Sequence, residues 1–407
     1  MNVLRVVWQR VFMFLFYKAT YLMNWRIPEL IEGNDSVKLI PNKIKELGMD
    51  NCFLVIDPGL IKLGLDKGLI DAFKESNLKY TIFSKIEPNP KICDIEEGVK
   101  EYIKSGSSCI VTLGGGSAMD TAKAIGARIA RPKKSIEQLG GLLKVGKKIP
   151  PLFAIPTTAG TGSETTIASV VTNEITHHKY AINDLHLIPL YAVLDPMLTV
   201  GLPKSITSST GMDALTHAVE GYLSCDVPKK YRILAEEAVE AIIKNIEVVY
   251  NDGSNIEARR EMLYASFKAG AVFTRVGLTY VHPIAHTFGG LYSVPHGLAN
   301  AITLPYCLKK YGKKVYKKLS RLSDIAHLSS DGMSEEEKAK AFIEKIEKLN
   351  KQMELNKTFD ERYKPLIKDE DIPQMIKWAQ KEANAAYYPP VILSNKDLEE
   401  IIKEIKS

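Results

Sequence analysis

Three of the chain's eight histidines, His282, His286 and His296, fall in one stretch, residues 277–305, GLTYVHPIAHTFGGLYSVPHGLANAITLP. Imidazole is the commonest protein ligand for a borderline transition metal, so such a cluster asks for a chemical reason. His282 and His286 are four apart and share one face if the segment is helical. His296 stands between Pro295 and Gly297, which predicts a side chain presented from a tight turn rather than packed in a helix. Upstream, GMDALTHAVEGY places Asp213 and His217 four apart as well, and the Ala, Leu and Val around them predict a buried helix. A buried carboxylate needs a counter-charge or a metal to offset its desolvation. Taken singly, each of these residues reads as structural. Taken together, Asp213, His217, His282 and His296 predict a four-ligand metal site.

A second set of residues is suited to phosphate. In CIVTLGGGSAMDTAKAIGARIA a strand pattern runs into Gly114, Gly115 and Gly116 and then into an Ala-rich helix. Glycines let the backbone close on a pyrophosphate, and the free amides at the helix start stabilise its charge. The three glycines are contiguous, which is not the common dinucleotide fingerprint, so by itself this is an anion-binding turn. IPTTAGTGSE, residues 155–164, supplies the hydroxyls and amides of Thr157, Thr158, Gly160 and Thr161 for the other side of the same ligand. Asp57 closes the apolar run CFLVID. There it either hydrogen-bonds the ribose hydroxyls of NAD and repels the extra phosphate of NADP, or only forms the turn before Pro58.

The elements that must position these residues follow from periodicity. Residues 37–47, 59–76 and 95–105 have helical spacing, while the CFLVID run and residues 80–83 read as strands. Such alternation predicts a parallel sheet covered by helices, with ligands at the carboxyl ends of its strands. Strand signals stop at LDPMLTVGLP, and long helical patterns follow. The expected organisation is an apolar extension (1–26), an α/β NAD(P)-binding domain with a parallel sheet (27–202), and an all-α metal-binding domain (203–407).

Five motifs in this order, GGGSAMDTAKAIG, PTTAGTGSE, LDPMLTVGLP, GMDALTHAVEGY and VHPIAHTFGGLYSVPHGLANAITLP, resemble those of the iron-containing (group III) alcohol dehydrogenase family, over about residues 27–405. The resemblance implies a dehydroquinate-synthase-like fold with the active site in the cleft between two domains. It implies Fe(II), with Zn(II) as the alternative, on Asp213, His217, His282 and His296. His286 would be a catalytic, non-ligand histidine near the nicotinamide. Asn89, Gly115, Gly116, Ser117 and Asp120 would approach the phosphates or adenosine of NAD(H), with NADP(H) kept open. Thr157, Thr158, Thr161, Lys179 and Thr199 would serve the nicotinamide half, Lys179 also taking a catalytic part, and Phe273 would line the substrate pocket. Two departures stand out: the apolar residues before Trp25 exceed the family's usual start, and Thr274-Arg275 stands where many members carry Asn after the pocket Phe.

The expected activity is NAD(P)-dependent oxidation of a primary alcohol or small diol, or reduction of the corresponding aldehyde. A divalent cation favours ionisation of the hydroxyl, and hydride moves to the nicotinamide. A carbocycle-forming lyase of the dehydroquinate synthase kind would share fold and cofactors but need extra Lys and Arg for a substrate phosphate, and the segments around these ligands are mostly apolar. A non-catalytic nucleotide-binding protein would predict a broken ligand set, and all four positions are filled.

Composition sets the outer bounds. With 407 residues, 25% charged, 45% apolar and a scattered net charge of +6, the chain reads as a soluble globular protein without the basic concentration of a nucleic-acid binder. Its five cysteines lack C-x-x-C spacing and read as reduced thiols of a cytoplasmic protein. In the first 25 residues, Lys18 interrupts the apolar run and no A-x-A-like site follows, so neither a membrane span nor a signal peptide is expected. An amphipathic helix packed on the protein or on a neighbouring subunit is the favoured reading, and a helix lying on a membrane surface is the alternative. The small-molecule substrate aside, the expected partner is a second copy, in a homodimer.

Overall fold

A computed structural model describes residues 3–176 and 179–407. Its chain separates into two compact units: Trp25–Gly201, and Leu202–Ser407 together with the leading segment through Asn24.

Among its described residues the first unit is built on nine strands: β1 (Glu29–Glu32), β2 (Asn51–Ile56), β3 (Lys79–Phe83), β4 (Cys109–Gly114), β5 (Gly141–Leu142), β6 (Leu152–Pro156), β7 (Ala168–Thr172), β8 (Lys179–Asn183) and β9 (Tyr191–Leu194). Six of them form one parallel sheet in the order β1-β9-β6-β4-β2-β3. Helices cover both faces, so the central strands are apolar at consecutive positions instead of alternating. Phe53, Val55 and Ile110 pack with Ala118, Ala122 and Ile125 on one face. Cys52, Leu54, Ile56 and Val111 pack with Ile40, Ile44 and Phe73 on the other. The helix expected over 59–76 is two helices, Pro58–Leu63 and Lys67–Glu75. Gly64 divides them at φ +69°, a left-handed C-cap that donates its N–H to the Ile61 carbonyl.

The chain passes from β2 outward to β3 and returns on the other side of β2 as β4. That reversal opens a crevice at the carboxyl ends of β2 and β4, where ligands of such sheets bind. A smaller sheet, β5-β8-β7, stands apart and carries Lys179.

The second unit contains helices and no strand among its described residues. Three of them bear on the metal-type residues: Lys204–Leu223, Val281–Tyr292 and His296–Tyr311. The N-terminal helix, Val3–Thr20, groups with this unit instead of standing as an extension of its own. No helix among the described residues is long and apolar enough to cross a membrane. All five cysteines are free.

Candidate metal centre and dinucleotide cradle

Helix Lys204–Leu223 is buried along nearly its whole second half. Asp213, His217 and Glu220 follow one another at i, i+4 and i+7 and so line one side of it. Helix Val281–Tyr292 brings His282, buried, and His286, 43% exposed, onto a shared face one turn apart. His296 is not on a free turn. It is the first residue of helix His296–Tyr311, with Pro295 as the N-cap, because Pro fits the start of a helix where its missing N–H costs nothing. Its side chain remains 44% exposed. Gly297 lets this helix start approach the first one: a Cβ there would lie 2.2 Å from the Ser209 carbonyl oxygen and 3.3 Å from Asp213 Cβ.

The ligating atoms of Asp213, His217, His282 and His296 all lie within 4.8 Å of one another. His282 Nε2 is 3.0 Å from His217 Nε2, and His296 Nε2 is 3.4 Å from Asp213 Oδ1. Desolvation would raise the Asp213 carboxyl, but His217, His296, His282 and Asn300 together hold it below the usual carboxylate range. Burial, reinforced by His217 and His296, pushes His282 well below the usual imidazole value, so it is neutral. Asn300, one turn beyond His296, sits at the focus. Its Nδ2 donates to Asp213 Oδ1 at 2.7 Å and lies 3.0 and 3.1 Å from His282 Nε2 and His296 Nε2. Two amide hydrogens cannot serve three acceptors, and the buried Asn300 Oδ1 and His217 Nδ1 have no partner. A carboxylate and three imidazoles converging on one point call for a cation there. Ligand distances of about 2.0–2.2 Å for a divalent transition metal are compatible with donors this close together. The residues fit a metal.

Behind the ligands, Glu220 accepts from His282 Nδ1, from the Thr279 N–H (2.9 Å), from the Val281 N–H (3.0 Å) and from the Thr279 hydroxyl. The carboxylate thus caps the start of the His282 helix and fixes which ring nitrogen carries the proton, leaving Nε2 as the ligand atom. Burial pushes the Glu220 carboxyl up to about 7 against those donors and His217. His286 Nδ1 is paired with Glu382 at 2.9 Å, and the Tyr387 hydroxyl donates to the same carboxylate. Desolvation alone would raise Glu382, but His286 and Tyr387 outweigh it. Phe273 stacks face to face on His217, with centroids 4.2 Å apart. Glu220, Asn300 and Glu382 were missed by sequence reasoning. The first two had a signal, i+7 from Asp213 and i+4 from His296. Glu382 lies 96 residues from its partner and had none.

In the α/β unit, Leu113 pairs with Ile56 and Gly114 with Pro156, so Asp57, Gly115 and Thr157 emerge at one edge of the sheet. A Cβ on Gly114 would meet Ala118 Cβ at 2.6 Å, and one on Gly116 would meet Thr161 Cγ2 at 3.3 Å. The Gly116 contact brings the two turns together at the start of helix Gly116–Ala130, and the Gly114 contact lets the end of β4 close on that same helix. That is the shape of a backbone cradle for a pyrophosphate. Asp57 is the N-cap of helix Pro58–Leu63, one carboxylate oxygen accepting from the Gly59 N–H at 2.7 Å. Lys179 Nζ donates to Asn89 Oδ1 at 2.7 Å, bringing two of the sequence-derived candidates together. Asp120 receives a hydrogen bond from Ser163 at 3.4 Å. Thr199 is buried and its hydroxyl is spent on the Pro196 carbonyl, so that side chain is not presented to a ligand.

Comparison with known proteins gives the site its chemistry. Residues 28–196 match the family model "Iron-containing alcohol dehydrogenase", and residues 207–406 match "Fe-containing alcohol dehydrogenase family, C-terminal". The chain is 34% identical to 1,3-propanediol dehydrogenase of Citrobacter freundii over 91% of its own length and 95% of the relative's. A crystal structure of 1,3-propanediol oxidoreductase superposes with a TM-score of 0.89 at 32% identity, over 94% of this chain and 99% of that one. A sulfoacetaldehyde reductase from Bifidobacterium kashiwanohense, solved with NAD+, superposes with a TM-score of 0.84 at 26% identity, over 95% and 99%. With the four-donor cluster and the glycine cradle in place, this degree of likeness along nearly the whole chain makes the protein a member of the iron-containing alcohol dehydrogenase family, an oxidoreductase.

Proposed function

We propose that the protein interconverts primary alcohols or small diols and their aldehydes with NAD(H), using Fe(II) on Asp213, His217, His282 and His296. The observation that carries this reading is the convergence of those four donors on one point beside Phe273. A bound divalent cation supplies Lewis acidity, polarising the substrate oxygen and lowering the pH at which a hydroxyl ionises. Bound nicotinamide supplies the hydride acceptor or donor.

The chain's own residues do the rest. Glu220 holds the His282 proton on Nδ1, and Asn300 steadies the Asp213 carboxylate. Phe273 and the apolar start of helix Val281–Tyr292 give the substrate carbon chain an apolar wall. The Glu382 carboxylate holds the His286 Nδ1 proton, leaving Nε2 of a half-exposed ring to take a proton from the substrate hydroxyl or return it. The Gly114–Gly116 and Thr157–Thr161 turns would receive the dinucleotide, with Lys179 and Asn89 as a polar pair for it and the Asp57 carboxylate favouring NAD(H) over NADP(H). A cytoplasmic homodimer belongs to the same proposal, and sedimentation equilibrium measures the second part of it.

The test is a panel of alcohols and aldehydes with both cofactors after anaerobic loading with Fe(II) or Zn(II), together with elemental analysis of Asp213→Ala and His282→Ala. Activity on short primary alcohols or diols, and loss of metal from folded variants, are the expected results. Full metal content in either variant would remove that residue from the site, and an inactive loaded enzyme across the panel would overturn the reading.

A further inference from the structure

The N-terminal helix, Val3–Thr20, precedes the residues matched by the family models, which begin at 28, and the segment it grips leads to the metal centre. Met13 and Tyr17 are buried on its inner face. Gln9 bonds Asn384. The Arg10 guanidinium donates to the Pro389 carbonyl at 2.6 Å through one nitrogen and to the Pro390 carbonyl at 2.9 Å through the other. Tyr17 packs on the Tyr388 ring with centroids 5.3 Å apart, and the Arg10 guanidinium lies 5.7 Å from the centre of the same ring. The helix therefore holds residues 384–390 at both ends and at Tyr388 between them.

That segment is poorly equipped to hold itself. Helix Ile372–Ala386 ends just before Tyr387, which is extended at φ −114° and ψ 155°. Pro389 and Pro390 have no N–H to give, so their carbonyls are the backbone's handles there, and the residue before each proline is turned away from helical backbone. Elsewhere in the helical unit, the Cys225 N–H and the Ser224 hydroxyl donate to the Tyr388 carbonyl at 3.0 and 3.4 Å, and the Cys225 thiol reaches the Pro389 carbonyl at 3.2 Å. A planar guanidinium forks across successive carbonyls in a way that a thiol or an ammonium does not.

Tyr387 carries the consequence to the site. Its hydroxyl donates to Glu382 Oε1 at 3.1 Å, and the same oxygen is 2.9 Å from His286 Nδ1. The side chain reaches back over its helix to that carboxylate, from a backbone whose course past Ala386 is set at Tyr388, Pro389 and Pro390.

We propose that Arg10 is a positioning residue for the proton-moving histidine: the N-terminal helix fixes residues 387–390 so that Tyr387 holds Glu382, and through it the His286 ring, in the working orientation. This rests on the role given to His286 above. The test compares Arg10→Met and Arg10→Lys with the wild type as full-length, metal-loaded protein. Met keeps the stem against Tyr388 and removes both donations; Lys keeps the charge without the fork, and carries the comparison if Arg10→Met folds poorly. Hydrogen exchange read by mass spectrometry should show the amides of residues 384–393 exchanging faster in Arg10→Met, with helix Lys204–Leu223 and metal content unchanged. The single-turnover rate of alcohol oxidation at saturation should fall roughly tenfold, with half-saturation by alcohol unmoved, because a misplaced base loses part of its contribution; Arg10→Lys should fall less. In a Tyr387→Phe background, Arg10→Met should slow the reaction no further, since the contact it positions is already gone. Unchanged exchange, full rate despite faster exchange, or equal losses with and without the Tyr387 hydroxyl would overturn the proposal. His286→Ala, run alongside, separates the two readings. At wild-type rate it removes the role of His286 and this proposal with it, whereas a slow His286→Ala beside a full-rate Arg10→Met sinks the positioning alone.

Discussion

Replacing Glu220 by Gln isolates what the carboxylate does for the metal centre. Glu220 is fully buried and accepts four hydrogen bonds, three of them from Thr279 and Val281. Truncation to Ala would strand those donors at about 1–3 kcal/mol each, so Ala reports on folding as much as on metal. Gln keeps the volume, and its carbonyl can still accept from Thr279 and Val281. Its amide, however, presents N–H to His282 Nδ1, which must then accept, and the ring proton moves to Nε2. The lone pair that should face the cation is lost from the favoured tautomer. Loss of such an outer partner lowers metal affinity about 10- to 100-fold, or about 1.4–2.7 kcal/mol. The assay is competition for Zn(II) or Fe(II) against a chelator of known affinity, with metal-free thermal unfolding measured in parallel. The expected pattern is a weakened metal constant with apo stability changed by no more than about 1 kcal/mol. A folded Gln variant that binds metal as tightly as the wild type would refute the tautomer argument.

Other consequences follow from the same geometry. His286→Ala should retain the metal and lower kcat about 10²- to 10⁴-fold, and Glu382→Gln should lower it less; because Glu382 acts through His286, the double variant should be no slower than His286→Ala, and additive losses would separate the two residues. Asp57→Ser keeps a helix cap while removing the charge, and should shift the kcat/KM ratio of NADPH to NADH upward about ten- to a hundredfold; an unchanged ratio would leave Asp57 as a turn residue. Burial raises the Glu164 carboxyl to about 7, with a backbone hydrogen bond and Lys123 opposing, and its Oε1 has no partner. The folded state therefore binds this proton more tightly than the unfolded one, and stability is lost as pH rises from about 4.5 to about 7. Relative to Glu164→Gln, the wild type should lose up to about 3 kcal/mol across that window in denaturant titrations at fixed pH, and a pH-independent difference would refute it.

The legible parts of this molecule were those written in local spacing. The i, i+4 pairs placed Asp213 with His217 and His282 with His286 on helical faces, and unbroken apolar runs marked β2 and β4 as strands buried on both sides. What escaped was of two kinds. Some of it was local but lay outside the patterns weighed, as with Glu220 one row beyond His217, Pro295 opening a helix, and Gly64 dividing another. The rest is set by tertiary packing alone. The β5-β8-β7 sheet that seats Lys179 beside Asn89 has no sequence signature, and Glu382 reaches His286 only because two distant helices pack together.

The two departures from the family pattern turn out to be one feature. Arg275, in the position that follows the pocket Phe by two, is buried; its guanidinium donates to Thr20 Oγ1 and lies 4.5 Å over the Tyr21 ring. A buried guanidinium is tolerated only where hydrogen bonds and an aromatic face replace water, and here the N-terminal helix and its end supply both. The extra helix and the substituted residue therefore meet in one contact. Arg275 stands on the helix that carries Phe273 to the face of His217, so the segment that docks the N-terminal helix is continuous with the wall of the site. Deleting residues 1–24 should on this account do more than remove a surface appendage. It would take the Thr20 hydroxyl and the Tyr21 ring away from Arg275, two residues from the pocket, a loss of about 2 kcal/mol from that charged hydrogen bond and cation–π contact, and Arg275→Asn should cost about that much in the full chain and much less in the shortened one. A truncated protein as stable as the full chain, or an Arg275→Asn that costs as much without the helix as with it, would show that the two features are independent.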